Sequence, residues 1–356
     1  MPSPKSTPNP SLDRYCRQTR YHPLGEAGQR RLMAARVLVC GCGALGSVSA
    51  ETLVRAGVGF VRVVDRDFLE LDNLHRQVLY DEADVAAGLP KAAAAADHLR
   101  QINSQVEVES VVEDVTYRNI HRLAGDVELL LDGTDNFQTR YLLNDYALST
   151  RKPWIYGGCI GAEGQTMTIL PGATPCLACV MPEAPPAGAT PTCETVGVLG
   201  PIVNVIASLQ AIEAIKILSG HPEACNPGLT VIDLWQHQLR TVGLAALAET
   251  GDCPVCKQGD FAWLDGRRGH AAISLCGRNA VQISSTLESS TAAQPLQLDK
   301  LAQKLRSIGQ VTSNPFLVRL AVEEYVISIF ADGRAIISGT DDITVARAVH
   351  ARYIGA

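Results

Sequence analysis

No stretch of the sequence approaches the roughly 18–20 uninterrupted apolar residues that a bilayer-spanning helix needs. The first ten residues, MPSPKSTPNP, contain no apolar core segment. Residues 1–12 therefore read as a disordered arm, not an export signal, and a cytoplasmic protein with no membrane partner is expected. A basic excess is also missing. Lys and Arg number 31 against 37 Asp and Glu, a formal charge of −6, which argues against a nucleic-acid or membrane-surface partner. Repetition at solenoid periods is absent too. Cysteine is the exception to this scarcity. Eleven is an odd number that cannot pair completely, and in a reducing compartment such spacings point to metal ligands or reactive thiols. With 356 residues, 46% of them hydrophobic, the chain can bury one large α/β domain plus a small appendage.

Strand and helix patterns alternate along the first two thirds. Leu12–Ala35 reads as helical, Arg36–Cys40 as a buried strand, Gly41–Gly46 as a glycine loop, Ser47–Ala56 as a helix and Phe60–Val64 as a second strand. Helices are expected over Lys91–Ile102, Asn119–Ala124, Gln138–Thr150 and Pro201–Leu218, and strands over Val106–Val112, Val127–Leu131 and Pro153–Tyr156. This is the pattern of a Rossmann-like, doubly wound, mostly parallel α/β sheet. Pro182–Pro191 is too rich in proline for regular structure. Beyond Cys256, strands at Ala271–Cys276, Ala280–Ser284, Phe316–Val322 and Tyr325–Phe330 and helices at Asp299–Ile308 and Asp341–Ile354 predict a small α+β module at residues 267–356, joined near Gly266–Gly269.

Gly41-Cys42-Gly43-Ala44-Leu45-Gly46 fits G-x-G-x-x-G between a strand and a helix, the context that gives the motif meaning. The glycines permit a tight turn and close approach to phosphate, and the helix start offers free N–H groups. Asp65, at the end of the second strand, is placed to bind ribose hydroxyls. At this point NAD and ATP are both open. The run after Asp65, Arg66-Asp67-Phe68-Leu69-Glu70-Leu71-Asp72-Asn73-Leu74-His75-Arg76-Gln77, favours a triphosphate, because phosphates need cations and a guanidinium binds them in bidentate fashion. Lys91 opens the next helix and supplies a second cation. Asp135, just past a strand's carboxyl end, suits Mg²⁺ bridging phosphate oxygens.

GCGALG, the D-x-D ending at Asp67, DNLHRQ, GLPK and DGTDN stand in the order seen in the MoeB/ThiF/HesA adenylyltransferases, the bacterial branch of the ubiquitin-activating superfamily, and Arg14-Tyr15-Cys16-Arg17-Gln18 is similar to that family's R-Y-x-R-Q. The resemblance spans roughly Asp13 to Gln258, and an adenylyltransferase domain at residues 13–264 is expected. It implies that Asp65 binds the ATP ribose, that Asn73, Arg76 and Lys91 contact phosphates, and that Asp135 holds Mg²⁺. It also implies that Arg17 reaches the partner subunit's site as an arginine finger, which makes a homodimer part of the mechanism. Arg14 has no such assignment, and Asp67 either lines the site or braces its loop. Ala44 stands where many relatives have glycine.

Cys176-x-x-Cys179 and Cys253-x-x-Cys256 are two knuckles whose four thiolates would bind zinc tetrahedrally with no open position, a structural site at the places where this family puts its zinc ligands. Cys193, past the proline-rich loop, matches a position that bonds covalently to the sulfur carrier in some members and is dispensable in others. Cys40 reads as core, Cys42 as lining the glycine loop, and Cys276 as structural despite a rhodanese-like Ser274–Arg278 loop. His22, His98, His121 and His237 show no ligand spacing.

The implied reaction is attack by the C-terminal glycine carboxylate of a ubiquitin-like sulfur carrier ending in Gly-Gly on the α-phosphorus of ATP. Acyl-adenylate and pyrophosphate form, and a sulfur donor later displaces AMP. Molybdopterin-type and thiamine-type carriers fit equally, as does one serving cysteine or another sulfur metabolite. Two other functions compete: an NAD-dependent oxidoreductase, which leaves DNLHRQ and the zinc knuckles unexplained, and a non-catalytic nucleotide-binding scaffold.

Overall fold

The structure is a computed structural model and describes residues 10–185, 193–249, 252–268, 272–275, 279–283, 296–331 and 333–354. The chain divides into two compact units, Met1–Ala184 with Val198–Arg267 and Pro185–Gly197 with Arg268–Ala356.

The expected helix over Leu12–Ala35 is broken. Pro10–Tyr15 is a 3-10 helix, Cys16–Thr19 is α1 and Gly25–Ala34 is α2. Pro23 and the positive φ of Gly25 (57°) prevent a continuous rod. Leu12 is buried, so residues 10–12 do not belong to the expected arm, and residues 1–9 lie outside the described residues.

The first unit is built on an eight-stranded sheet. In chain order it runs β1 (Arg36–Cys40), α3 (Ala44–Ala56), β2 (Phe60–Val64), α4 (Glu82–Ala86), α5 (Lys91–Ile102), β3 (Glu107–Val111), α6 (Ile120–Ala124), β4 (Leu129–Asp132), α7 (Phe137–Thr150) and β5 (Trp154–Ile160). There follow β6 (Glu163–Ile169), α8 (Leu177–Val180), α9 (Cys193–Val196, assigned to the second unit), α10 (Gly200–Ser219), β7 (Leu229–Asp233), β8 (Gln238–Val242) and α11 (Ala245–Glu249). The strand order is β3-β2-β1-β4-β5-β6-β7-β8. The first five strands are parallel and the last three antiparallel. The sheet reverses at a two-residue turn, where Ile160 pairs with Glu163 around Gly161 at φ 57°. Strands β1 and β4 are adjacent although β2 and β3 intervene in sequence. The chain thus leaves in opposite directions from their carboxyl ends, and a crevice opens there.

Helix α10 has an apolar composition that Asn204, Gln210, Glu213 and Lys216 interrupt. It is long and apolar enough to cross a membrane by length and composition alone. In the fold it lies over α3, β5 and β6, with Ile202, Ile206, Ala207 and Ala214 fully buried. The buried Gln210 amide donates to the Asp132 and Ile155 carbonyls (2.8 and 3.3 Å).

The second unit contains a six-stranded sheet, β9 (Ala272–Leu275), β10 (Ala280–Ile283), β11 (Gln310–Ser313), β12 (Leu317–Val322), β13 (Tyr325–Phe330) and β14 (Ala335–Ser338), in the order β11-β12-β13-β14-β10-β9. All its pairings are antiparallel. Helices α12 (Leu298–Leu305) and α13 (Ile343–Tyr353) complete its core with Val281, Leu320, Ile327 and Ile337. The short strands β11 and β14 were not foreseen.

Candidate nucleotide edge and cysteine cluster

The loops following β1 and β4 are fitted to each other through glycine. A Cβ on Gly41 would lie 2.7 Å from the Gly133 carbonyl oxygen, and one on Gly133 would lie 2.5 Å from that of Gly41. A Cβ on Gly46 would sit 1.8 Å from the Gly41 carbonyl oxygen, inside any tolerable contact. Gly41 also has φ 80°, so it needs glycine for conformation as well as space. Gly43 is the N-cap of α3, and Ala44 begins the helix. The N–H groups at this start have no intrahelical acceptor and make a cradle of donors of the kind that suits an anion.

Asp65 lies beside the cradle. Its carboxylate accepts from Cys42 N (2.6 Å) and Asp67 N (2.7 Å). Burial pushes this carboxyl up, against the pull of the Lys91 ammonium. Lys91 is itself buried. Its Nζ lies 3.3 Å from Asp67 Oδ2 and its backbone N donates to Asp67 O (2.9 Å). Asp67 therefore braces the loop and holds Lys91. Arg66 donates to Asp114 (2.9 Å). Burial opposes its charge, but Asp114, Asp67 and Asp135 outweigh that and raise its pKa. Cys42 is fully buried, and burial pushes its thiol up to about 12, so it stays protonated and inert. Cys40, likewise buried, is inert for the same reason.

Asn73 is buried, and its Oδ1 accepts from Glu70 N in a capping box (3.3 Å). Its role in the free chain is thus to shape the turn that presents Arg76. Arg76 donates to Asp72 O (2.7 Å). Asp135 is exposed just beyond β4. Two residues not singled out from the sequence hold its loop, Asp132 of the quoted DGTDN and Arg140 outside any quoted motif: Asp132 accepts from Thr134 N and Oγ1 (2.9 and 2.7 Å) and pairs with the buried Arg140 (3.1 Å). Arg140 also donates to Thr134 O (2.7 Å). Two more came from within the quoted motifs but were not singled out: Gly133 and Gln77, the latter buried against Gly43. The Asp132–Arg140 signal is an eight-residue spacing across a loop, which no local pattern announces.

The four knuckle cysteines meet. Sγ separations are 3.7 Å for Cys176–Cys179, 3.7 Å for Cys176–Cys253 and 3.4 Å for Cys179–Cys256, and all four sulfurs lie within 4.8 Å of one another. A zinc tetrahedron with Zn–S near 2.3 Å has edges of about 3.8 Å, so the cluster fits the ion. Helix α7 secures both knuckles: Asn144 accepts from Leu177 N (2.9 Å), Tyr141 donates to Met181 O (2.6 Å), and Asp145 accepts from Trp263 N and Leu264 N (2.9 and 3.3 Å).

Not every expected residue converges. Arg17 is exposed on α1, which Gln18 ties to Ala56 O (3.0 Å) and Tyr15 packs against Gly57. That is the far end of α3 from the cradle, ~20 Å away for a helix of this length. Arg17 therefore does not serve its own chain's cradle. Arg14 donates to Ile102 O (3.0 Å). Cys193 begins α9, but its side chain lies outside the described residues, as does Cys276. His98, given no role by spacing, joins Asp81 and Asp84 in a group with ligand atoms within 4.8 Å. There Asp81 caps α4, and the ring nitrogen of His98 meets Asp84 at 2.8 Å.

A family model described as the ThiF family matches residues 15–255. The sulfur carrier protein ThiS adenylyltransferase of Bacillus subtilis is 43% identical over 96% of this chain and 99% of its own length. The SAMP-activating enzyme E1 of Haloferax volcanii is 40% identical over 70% of this chain and 90% of its own. Among solved structures, E. coli MccB with ATP superposes with a TM-score of 0.58 at 24% identity, over 68% of this chain and 73% of that one, a likeness of fold.

Proposed function

The chain belongs to the ThiF family, and from that premise we propose that it is an ATP-dependent adenylyltransferase activating the C-terminal glycine carboxylate of a ubiquitin-like sulfur carrier of the ThiS type. The observation that carries the reading is the convergence, at one edge of the sheet, of a glycine cradle, a ribose-ready Asp65 and the buried Lys91. The ThiS type is favoured because the match to the Bacillus protein runs nearly end to end through the C-terminal module, whereas the Haloferax match covers 70% of the chain.

In this reading Gly41, Gly43, Ala44 and Gly46 cradle phosphate, Asp65 takes the ribose hydroxyls, and Asn73, Arg76 and Lys91 surround the triphosphate. Asp67 keeps Lys91 in place. Asp135 would hold Mg²⁺, which neutralises phosphate charge when bound. The carrier's carboxylate attacks the α-phosphorus, the bond to the β-phosphate oxygen breaks, and pyrophosphate leaves. No enzymic base is required, because a carboxylate is already ionised near neutral pH. The protein contributes position and cations. Arg17 would act across a homodimer, which its distance from its own cradle supports. Cys193 is a candidate to attack the acyl-adenylate, its thiol forming a thioester to the carrier as AMP leaves and its proton is lost to solvent, before a sulfur donor displaces the cysteine thiol. Cys176, Cys179, Cys253 and Cys256 would hold a structural zinc ion. A reducing cytoplasm suits the free cysteines of the described residues.

Asp135→Ala tests the assignment. Carrier-dependent ATP–pyrophosphate exchange should be abolished with zinc content intact, and normal exchange in this variant would remove Asp135 from the mechanism.

A further inference from the structure

The buried side chain of Gln77 carries an amide oxygen, Oε1, that nothing in the free protein satisfies, among the described residues. Gln77 is 3% exposed. A buried polar atom without a partner is costly and uncommon in a native fold. The segment carrying it is held firmly: Gln77 N donates to Asn73 O (3.0 Å), Tyr80 N donates to Gln77 O (3.3 Å), and the buried Tyr80 hydroxyl donates to Cys42 O (2.6 Å). Frame and side chain therefore have different purposes, and loss of the amide alone leaves the frame intact.

Its direction is given by Gly43. A Cβ built on that glycine would have Gln77 Nε2 as its nearest neighbour, at 3.8 Å. Gly43 follows Cys42, whose N–H is bound by the ribose-ready Asp65, and precedes Ala44, where α3 begins. An amide over Gly43 thus stands between the ribose position and the helix start that receives phosphate. A carboxamide offers both a donor and an acceptor, and at that junction the matching groups are a phosphate oxygen and a ribose hydroxyl.

We propose that Gln77 is a nucleotide-binding residue whose carboxamide hydrogen-bonds the ribose–α-phosphate portion, the part shared by ATP, ADP and AMP. The proposal rests on the adenylyltransferase reading and assigns Gln77 a task distinct from that of its neighbour. Arg76 acts as a charge on the outer phosphates, and Gln77 as a neutral contact at the end of the nucleotide that stays with the acyl group.

The test is calorimetric binding of ATP, ADP and AMP to the full chain, wild type, Gln77→Met and Arg76→Ala, with thermal unfolding of each. Gln77→Met keeps the shape and removes the amide. It should weaken all three nucleotides about tenfold alike while unfolding no earlier than wild type, since an unpaired buried group has been deleted. Arg76→Ala should weaken ATP more than AMP. Equal affinity of Gln77→Met and wild type, a loss confined to ATP, or an earlier unfolding with unchanged affinity would each overturn the assignment. Gln77→Asn is the second variant: it retains an amide on a shorter arm and should recover part of the affinity. Failure of wild type to bind any of the three would instead bring down the adenylyltransferase reading, and this proposal with it.

Discussion

The nucleotide edge and the cysteine cluster are built on opposite principles. The first is made of backbone. Gly41, Gly46 and Gly133 exclude a single added carbon, because carbonyl oxygens occupy the space, and the groups proposed to bind are N–H donors at a helix start. The second is made of side chains. Cys176 and Cys253, 77 residues apart, come within 3.7 Å, and the local backbone matters only as far as it delivers sulfur. Damage to the first should therefore remove chemistry and leave the fold, while damage to the second should loosen the fold and spare the chemistry for as long as the fold lasts.

The sharpest way to break this contrast is Gly46→Ala. The added methyl would meet the Gly41 carbonyl oxygen at 1.8 Å, and backbone cannot yield as a side chain can. Exchange activity should fall at least a hundredfold with zinc content unchanged, as measured by exchange assay and metal analysis. Retained activity would show that the loops are more plastic than their glycines imply.

Next in size is removal of one zinc ligand. Cys253→Ser should lose the metal and lower stability by several kcal/mol, since metal binding closes a long loop and binding free energy becomes folding free energy. The midpoint of thermal unfolding should drop while exchange at low temperature persists. Unchanged unfolding would mean that α7 alone holds the lobe.

The smallest expected effect concerns Asp145, whose carboxylate accepts from two backbone N–H groups of the segment following the second knuckle. Burial pushes its pKa up from 3.8 to about 6. A carboxyl with a raised folded-state pKa contributes stability that is present at low pH and is lost as pH rises through about 6. The shift corresponds to roughly 3 kcal/mol across that window. Asp145→Asn, which keeps an acceptor without the charge, should flatten this part of the stability profile between pH 4 and 7.5, as read from urea midpoints. A variant profile parallel to that of wild type would rule out this group as its source.

The two regions were also unequally legible. The glycine loop, the strands Arg36–Cys40 and Phe60–Val64 and the helix Lys91–Ile102 stand where the pattern put them, because each is specified by contiguous residues with a local reason. The knuckles were legible as chemistry, since paired thiols at fixed spacing have few other uses in a reducing setting. The strands Glu163–Ile169, Leu229–Asp233 and Gln238–Val242 were not foreseen. They are antiparallel additions whose existence depends on pairing with neighbours, and β8 is exposed throughout, so hydrophobic alternation does not mark it. Lys91 was identified as a cation, but its burial against Asp67 was not. Gln77 belonged to a quoted motif, yet its unpaired oxygen is a property of three-dimensional packing and has no signature in the chain.

The central claim is that the cradle at the sheet edge takes a triphosphate and transfers its adenylyl group to a carrier. It is tested most directly by carrier-dependent ATP–pyrophosphate exchange with a purified ThiS-type protein ending in Gly-Gly, compared between wild type and Lys91→Met. The account predicts exchange that requires both ATP and the carrier, with a loss of about a hundredfold or more in Lys91→Met. Absence of exchange in the wild type with such a carrier, or full activity without Lys91, would contradict it.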